Sequence, residues 1–201
     1  MDARDVHLNL FGSPTAQHAG RTHALPFERR TQLVVLLALR RQWVPRAEVA
    51  AMLWPEQESR LAFANLRKTL FRMTSLPWAV AIETQGAALR LEVATDVAQF
   101  ESALREQRSD EALAAYRGEL LAGFDDGASE AWTRWVAFER ERLRAAWRGL
   151  VLAQLAQAAD AAGAMAQAIE LSARLLEADP LDEAALHHHM TALARDGQAG
   201  T

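Results

Sequence analysis

Cysteine is absent from all 201 residues, which excludes a disulfide framework, a thiolate metal site and a cysteine nucleophile. That usage suits a reducing compartment. Also missing are a glycine-rich phosphate loop and the G-x-S-x-G, H-E-x-x-H and C-x-x-C motifs, so enzyme chemistry has no anchor and no cofactor is expected. No apolar run is long enough for a membrane: the strongest, Leu33 to Leu39, is far too short to span a bilayer, and MDARDVHLNLFG lacks the basic start and apolar stretch of a signal peptide. The expectation is a soluble, cytoplasmic protein with no membrane partner. His187-His188-His189 is the one metal-like string, but successive helical residues point about 100° apart and do not converge on one ion. The acid pairs Asp125-Asp126 and Asp182-Glu183 sit beside turns, where loop or capping roles are commoner than acid–base catalysis.

What is present is ordinary globular material, 50% hydrophobic and 24% charged. Its length suits two compact domains of about 100 residues each. The net charge of -4 conceals an asymmetry. Residues 1–95 carry 12 basic against 8 acidic side chains, and residues 96–201 carry 10 against 18. Nine of those twelve cations lie between Arg29 and Arg72. Phosphate binding is electrostatic before it is specific, so nucleic acid belongs to the first half.

Residues 6 to 25 alternate and break like short strands, with turns at Gly12-Ser13-Pro14 and Gly20 and with Leu8 and Leu10 on one face. FERRTQLVVLLALRR, Phe27 to Arg41, reads as a helix with Leu33, Leu36 and Leu37 inward. A second helix runs from Arg46 to Trp54, burying Val49, Met52 and Leu53, and Pro55 stops it. A third starts near Glu58 or Ser59 and reaches Met73. At 100° per residue, Ala62, Leu66, Leu70 and Met73 form its core stripe. Arg60, Leu61, Ala64, Lys68 and Phe71 lie opposite, with Asn65, Arg67 and Arg72 at the margins. AVAIETQGAALRLEV then supplies two alternating runs joined across Gln85-Gly86, a hairpin signal. Sheet, three helices and hairpin amount to a winged helix-turn-helix of α+β class over residues 1–95, with Thr84 to Ala88 as the wing tip. A rod of this kind sits in the major groove of DNA.

Residues 96–201 read as all-α. VAQFESALREQ and DEALAAYRGELLAGF form a helical pair, punctuated by Gly118 and Gly123, and a loop from Asp125 to Ser129 precedes a long helix from about Glu130 to Ala161. Trp132, Trp135, Val136, Glu139, Leu143, Trp147 and Leu150 give that helix a stripe, apolar but interrupted by RERLR, that reads as core. Taking Pro180 as the end of a 34-residue unit places Leu152, Leu155, Ala159 and Ala168 at tetratricopeptide packing positions. The next unit begins about Glu183 with Leu186 and Leu193 and stops before its second helix. Because such units bury their faces only against neighbours, the chain reads as a fragment.

Several strings together resemble one family. LNLFGSPTA, LPFERRTQLVVLLAL, VPRAEVAAMLWPE, ANLRKTLFRM and GAALRLEV are similar to the OmpR-type winged helix of the Streptomyces antibiotic regulatory protein class. DVAQFESAL, ALAAYRGELLAGF, WTRWVAFERERLR and ARLLEADPLDEAALHHHM resemble the bacterial transcriptional activator domain that follows it, with a tetratricopeptide-like architecture. The resemblance implies a transcriptional activator binding direct repeats in double-stranded DNA, with the helical domain supporting a homodimer and contact with RNA polymerase. Carried over by position, Arg60 to Arg72 is the major-groove helix and Thr84 to Arg90 the wing.

The candidate DNA-binding residues are therefore Arg46, Arg60, Ala64, Asn65, Arg67, Lys68 and Arg72, together with Thr84, Gln85 and Arg90. Arg67, Lys68 and Arg72 suit phosphates, Arg60, Ala64, Asn65 and Lys68 suit base edges, and Arg90 suits a phosphate beside the wing. Leu61 and Phe71 depart from the polar or small residues that the resemblance leads one to expect on this face. They keep open a rival reading, a protein-interaction module whose winged helix no longer binds DNA. An enzyme of unrecognised type is the third class, for which no catalytic constellation can be named.

Overall fold

The computed structural model describes residues 6–78, 80–124, 129–158 and 165–199. The acid pair Asp125-Asp126, most of the expected loop 125–129 and the packing position Ala159 lie outside these residues.

The alternating residues near the start fold as expected into three antiparallel strands, β1 (Val6–Asn9), β2 (Thr15–His18) and β3 (Arg21–Ala24). Ala19 and Gly20 join β2 to β3 with positive φ at both positions, the primed turn whose twist matches the strands. Leu8 and Leu10 are fully buried, as the alternation requires. The short strand β7 (Ala94–Thr95) lies parallel to β1 and completes the order β3-β2-β1-β7.

Helix α1 (Arg29–Arg40) is capped reciprocally: the Glu28 carboxylate accepts from the Thr31 backbone, and the Thr31 hydroxyl accepts from the Glu28 N–H at 3.2 Å. All residues from Thr31 to Ala38 are buried, so α1 is a central helix covered on every side rather than the single-striped helix expected. Strand β4 (Val44–Pro45) leads into α2 (Arg46–Leu53), and α3 (Ser59–Arg72) continues as a 3₁₀ turn over Met73–Ser75. The hairpin forms from β5 (Glu83–Gln85) and β6 (Ala88–Arg90), with β4 added beside β6. These strands are shorter than the alternating runs; Val80 and Leu91 are buried without joining the ladder.

A helical region follows: α4 (Asp96–Arg105), α5 (Ser109–Ala115), α6 (Glu130–Ala158), α7 (Met165–Ala178) and α8 (Glu183–Ala199). Helix α5 ends earlier than the sequence suggests. Residues 119–122 instead run beside the end of β1, where Leu121 N–H donates to the Leu10 carbonyl at 2.8 Å and Gly12 N–H to that of Glu119 at 2.8 Å. Trp132, Trp135, Leu143 and Trp147 are core residues, as the stripe predicts. Leu155 and Ala168 are buried as expected, and Asp182 caps α8 by accepting from Ala185 N–H at 3.1 Å. Where the next unit begins, Ala185 and Ala192 face inward, while Leu186 and Leu193 are 48% and 44% exposed. The small alanines are the residues α8 presents to the core, and its leucine side stays uncovered.

One core runs through both regions. Phe11 packs on Phe100 and Tyr116, and Tyr116 stacks on Trp147 at 4.7 Å; Phe27 meets Phe124 and Trp132. At the junction the buried Asp96 carboxylate accepts from the N–H groups of Leu10 (2.8 Å), Phe11 (3.0 Å) and Val97 (2.8 Å). Burial pushes this carboxyl above its ordinary value, against the pull of those three donors.

Candidate nucleic-acid interface

Proline at position 55 ends α2 after Trp54, and α3 begins four residues later. Its Ala62, Leu66 and Thr69 are buried, Met73 just beyond it is buried, and Leu70 is half-buried. The opposite face carries exposed Arg60, Leu61, Ala64, Arg67, Lys68, Phe71 and Arg72, matching the helical placement. Leu61 is 53% and Phe71 81% exposed, so the two apolar residues stand on the solvent face. Phe63, which the helical stripes leave unassigned, is exposed on the other margin. Asn65 is half-buried, and its amide donates to Gln57 Oε1 at 2.5 Å, which ties it to the turn between α2 and α3.

The pairing of cations separates this surface from the rest of the molecule. Elsewhere most arginines are matched by carboxylates: Arg40 with Glu48, Arg142 with Glu101 and Glu139, Arg144 with Glu141, Arg148 with Asp182. Arg46, Arg60, Arg67, Lys68 and Arg72 make no ion pair among the described residues. Uncompensated positive charge on one helix face and at the head of its neighbour is what a polyanion requires.

The hairpin is mixed. Thr84 and Gln85 are exposed, and Gly86 has the positive φ that the tight turn demands. Arg46 is half-buried beneath this turn, its backbone N–H donating to the Ala87 carbonyl at 2.8 Å. Arg90, by contrast, already has partners: Glu83 at 2.8 Å, Glu92 at 2.9 Å, and the Trp43 ring 4.7 Å from its guanidinium carbon. It locks the hairpin and offers little free charge.

The structure adds two residues to the sequence-derived set. Arg29 and Arg30, in the first turn of α1, line a cleft of about 540 Å³ with Asn65, Lys68, Thr69 and Arg72 of α3. Arg30 is paired with Glu28 at 2.7 Å and donates to Ser75 Oγ at 3.1 Å. Arg29 has no ion pair among the described residues; it donates to Gln32 Oε1 at 2.6 Å and lies over Trp54. Burial without a carboxylate pulls its pKa below the ordinary arginine value. The sequence does hold a signal for this pair: two cations in a helix's first turn oppose the macrodipole, and no acid accompanies them within that turn.

A cleft of about 670 Å³ lies between residues 116–119, α6 and α7, and three of its four arginines are engaged. Arg140 donates to the carbonyls of Leu120 and Leu121, Arg174 to that of Tyr116, and Arg144 pairs with Glu141. His189 Nδ1 lies 2.9 Å from Ser172 Oγ, a contact between α8 and α7, and no metal-holding cluster occurs among the described residues. No helix among them is long and apolar enough to cross a membrane.

No curated protein matches the chain. Among solved structures, Mycobacterium tuberculosis EmbR, in complex with a low-affinity phosphopeptide, is similar with a TM-score of 0.63 at 16% identity. The alignment covers 94% of this chain and 54% of EmbR, so the chain spans about half the length of that neighbour, and the likeness is one of fold. It includes the N-terminal strands and helices as well as the helical region. Residues 87–201 match the bacterial transcriptional activator domain, and that segment takes in the hairpin's second strand and every helix from α4 onward. By that match the chain belongs to the bacterial transcriptional activator domain family.

Proposed function

We propose that this member of a transcriptional activator family is a sequence-specific DNA-binding regulator of the Streptomyces antibiotic regulatory protein type. Residues 1–95 act as an OmpR-type winged helix-turn-helix, with α3 in the major groove and the β5–β6 hairpin as the wing. The chain binds direct repeats in double-stranded promoter DNA as a homodimer, and the tetratricopeptide-like region of residues 96–201 contacts RNA polymerase. The observation that carries this reading is the set of unpaired cations on α3 and at the start of α2, in a molecule that otherwise neutralises most of its arginines.

Arg67, Lys68 and Arg72 supply phosphate contacts; Arg60, Ala64, Asn65 and Lys68 face base edges, Asn65 after release from Gln57. Arg46, Thr84 and Gln85 meet the backbone beside the groove, and Arg90 acts through the hairpin it holds. The test is gel-shift with DNA selected by the purified protein from a random pool, at low and moderate salt. Replacing Arg67 or Lys68 by Ala is expected to weaken binding and lower the salt slope by about one unit for each phosphate no longer neutralised. Unchanged affinity in both variants refutes the assignment.

The exposed Leu61 and Phe71 favour a second reading, a protein-interaction module that has lost DNA binding. No shift at either salt concentration selects it.

A further inference from the structure

The DNA-binding reading places α3 in the groove but leaves Arg29 unexplained. This side chain is half-buried in the cleft between the start of α1 and the flank of α3, with no carboxylate to compensate it among the described residues. Lys68 and Arg72, one turn apart on α3, line the same cleft and are likewise unpaired. Glu28 also lines the cleft but pairs with none of the three, its carboxylate being held by Arg30 and by the cap of α1. Three cations from two helices thus line one cleft with no carboxylate paired to them, and Arg29 among them stands in a helix's first turn, where positive charge is disfavoured. A phosphate oxyanion is the group that cations on two walls of one cleft suit, and neither Arg29 nor Arg72 is a candidate for base edges.

We propose that this cleft is a seat for a DNA backbone phosphate, held by Arg29, Lys68 and Arg72, which extends the interface from α3 onto α1. The inference rests on the DNA-binding reading above. A phosphate bound here fixes the protein's register on the duplex and carries no sequence information of its own. Its loss therefore weakens selected and scrambled duplexes alike.

The experiment is fluorescence anisotropy of a labelled duplex, taken from the random-pool selection, and of a scrambled duplex of equal length, at salt concentrations from about 50 to about 200 mM. The proteins are the full chain and its Arg29→Gln and Arg29→Lys variants, with circular dichroism to confirm their folding. Arg29→Gln removes the charge while keeping a side chain able to lie over Trp54. It is expected to weaken both duplexes about 3–10-fold and to reduce the salt slope by about one unit, with Arg29→Lys recovering most of the slope. Should Arg29→Gln misfold, Arg29→Met, which also removes the charge and keeps an unbranched side chain over Trp54, takes its place: a slope lower by about one unit supports the seat and an unchanged slope overturns it. A slope unchanged in Arg29→Gln, with Lys68→Ala still impaired, overturns the seat and leaves the DNA-binding reading standing. Weakening confined to the selected duplex overturns it too, since the cleft would then be reading bases. No binding of either duplex by the unaltered chain removes the parent reading, and the seat with it.

Discussion

The Asp182–Arg148 pair ties the head of α8 to α6 and gives the helical region a measurable pH dependence. Arg148 Nε lies 2.5 Å from one carboxylate oxygen and its terminal nitrogen 2.9 Å from the other, while Asp182 also caps α8 through Ala185 N–H. The carboxylate is 3% exposed and its pKa is lowered to about 2. A drop of nearly two units corresponds to at most about 2.5 kcal/mol. Arg148 is 45% exposed, so solvent screening reduces the contribution to about 1–2 kcal/mol. Because the folded pKa is depressed, the stabilisation is present above the unfolded value near pH 4 and is lost as pH falls towards 2. Asp182→Asn keeps an oxygen for the cap and removes the charge. Urea denaturation of the two proteins should show a gap of about 1–2 kcal/mol at pH 7, equivalent to roughly 3–6 °C in Tm, shrinking steadily below pH 4. A double-mutant cycle with Arg148→Gln should return most of that gap as coupling energy. A gap that stays constant as the carboxylate protonates, or a coupling near zero, refutes the charge argument and leaves only the cap.

Two further outcomes concern the junction between the regions. Asp96→Asn would set an amide donor against one of the backbone N–H groups the carboxylate now accepts from, and should cost about 2 kcal/mol in urea denaturation at pH 7. Burial raises the Asp96 pKa, so the wild-type advantage should be largest below about pH 4 and decline as pH rises through the folded value; a gap that widens with pH contradicts this. Residues 1–95 expressed alone would leave Phe11 without Phe100 and Tyr116, Phe27 without Phe124 and Trp132, and Leu10 and Phe11 without the Asp96 carboxylate. They should show no cooperative thermal transition by circular dichroism, and a sharp one would establish them as an independent domain.

The elements most legible in the sequence are those whose burial is one-sided. The 100° stripe of α3 places Ala62 and Leu66 correctly because that helix has one covered face, and alternation in VHLNL places Leu8 and Leu10 even though Asn9 between them is buried as well. Helix α1 is legible as a helix, but its full burial is not, since a helix covered all round has no polar side for periodicity to reveal. Residues 116–124 read as helix because ELLAGF has helical composition; what holds them beside β1 is hydrogen bonding to Leu10 and Gly12, more than a hundred positions away. The inward face of α8 is hard to read from the sequence as well. Hydrophobicity favours Leu186 and Leu193, while Ala185 and Ala192 are the residues the packing buries.

The same distinction governs the site. Which cations lie on the exposed side of α3 follows from helical geometry, and Arg60, Arg67, Lys68 and Arg72 are legible that way. Whether each is free to meet a phosphate depends on acids that can be distant in the chain. Glu101 engages Arg41 and Arg142 from opposite directions, Asp182 reaches Arg148 across 34 positions, and Glu83 and Glu92 occupy Arg90 from within its own hairpin. A basic string therefore marks a binding face only after its partners are subtracted. That subtraction demotes Arg90, a plausible phosphate ligand by position, and promotes Arg29, whose isolation is visible only once α1 and α3 are set side by side. If the uncompensated cations are there for DNA, the salt slope should track the unpaired residues and ignore the paired ones: Arg67→Ala should lower it and Arg40→Ala should not.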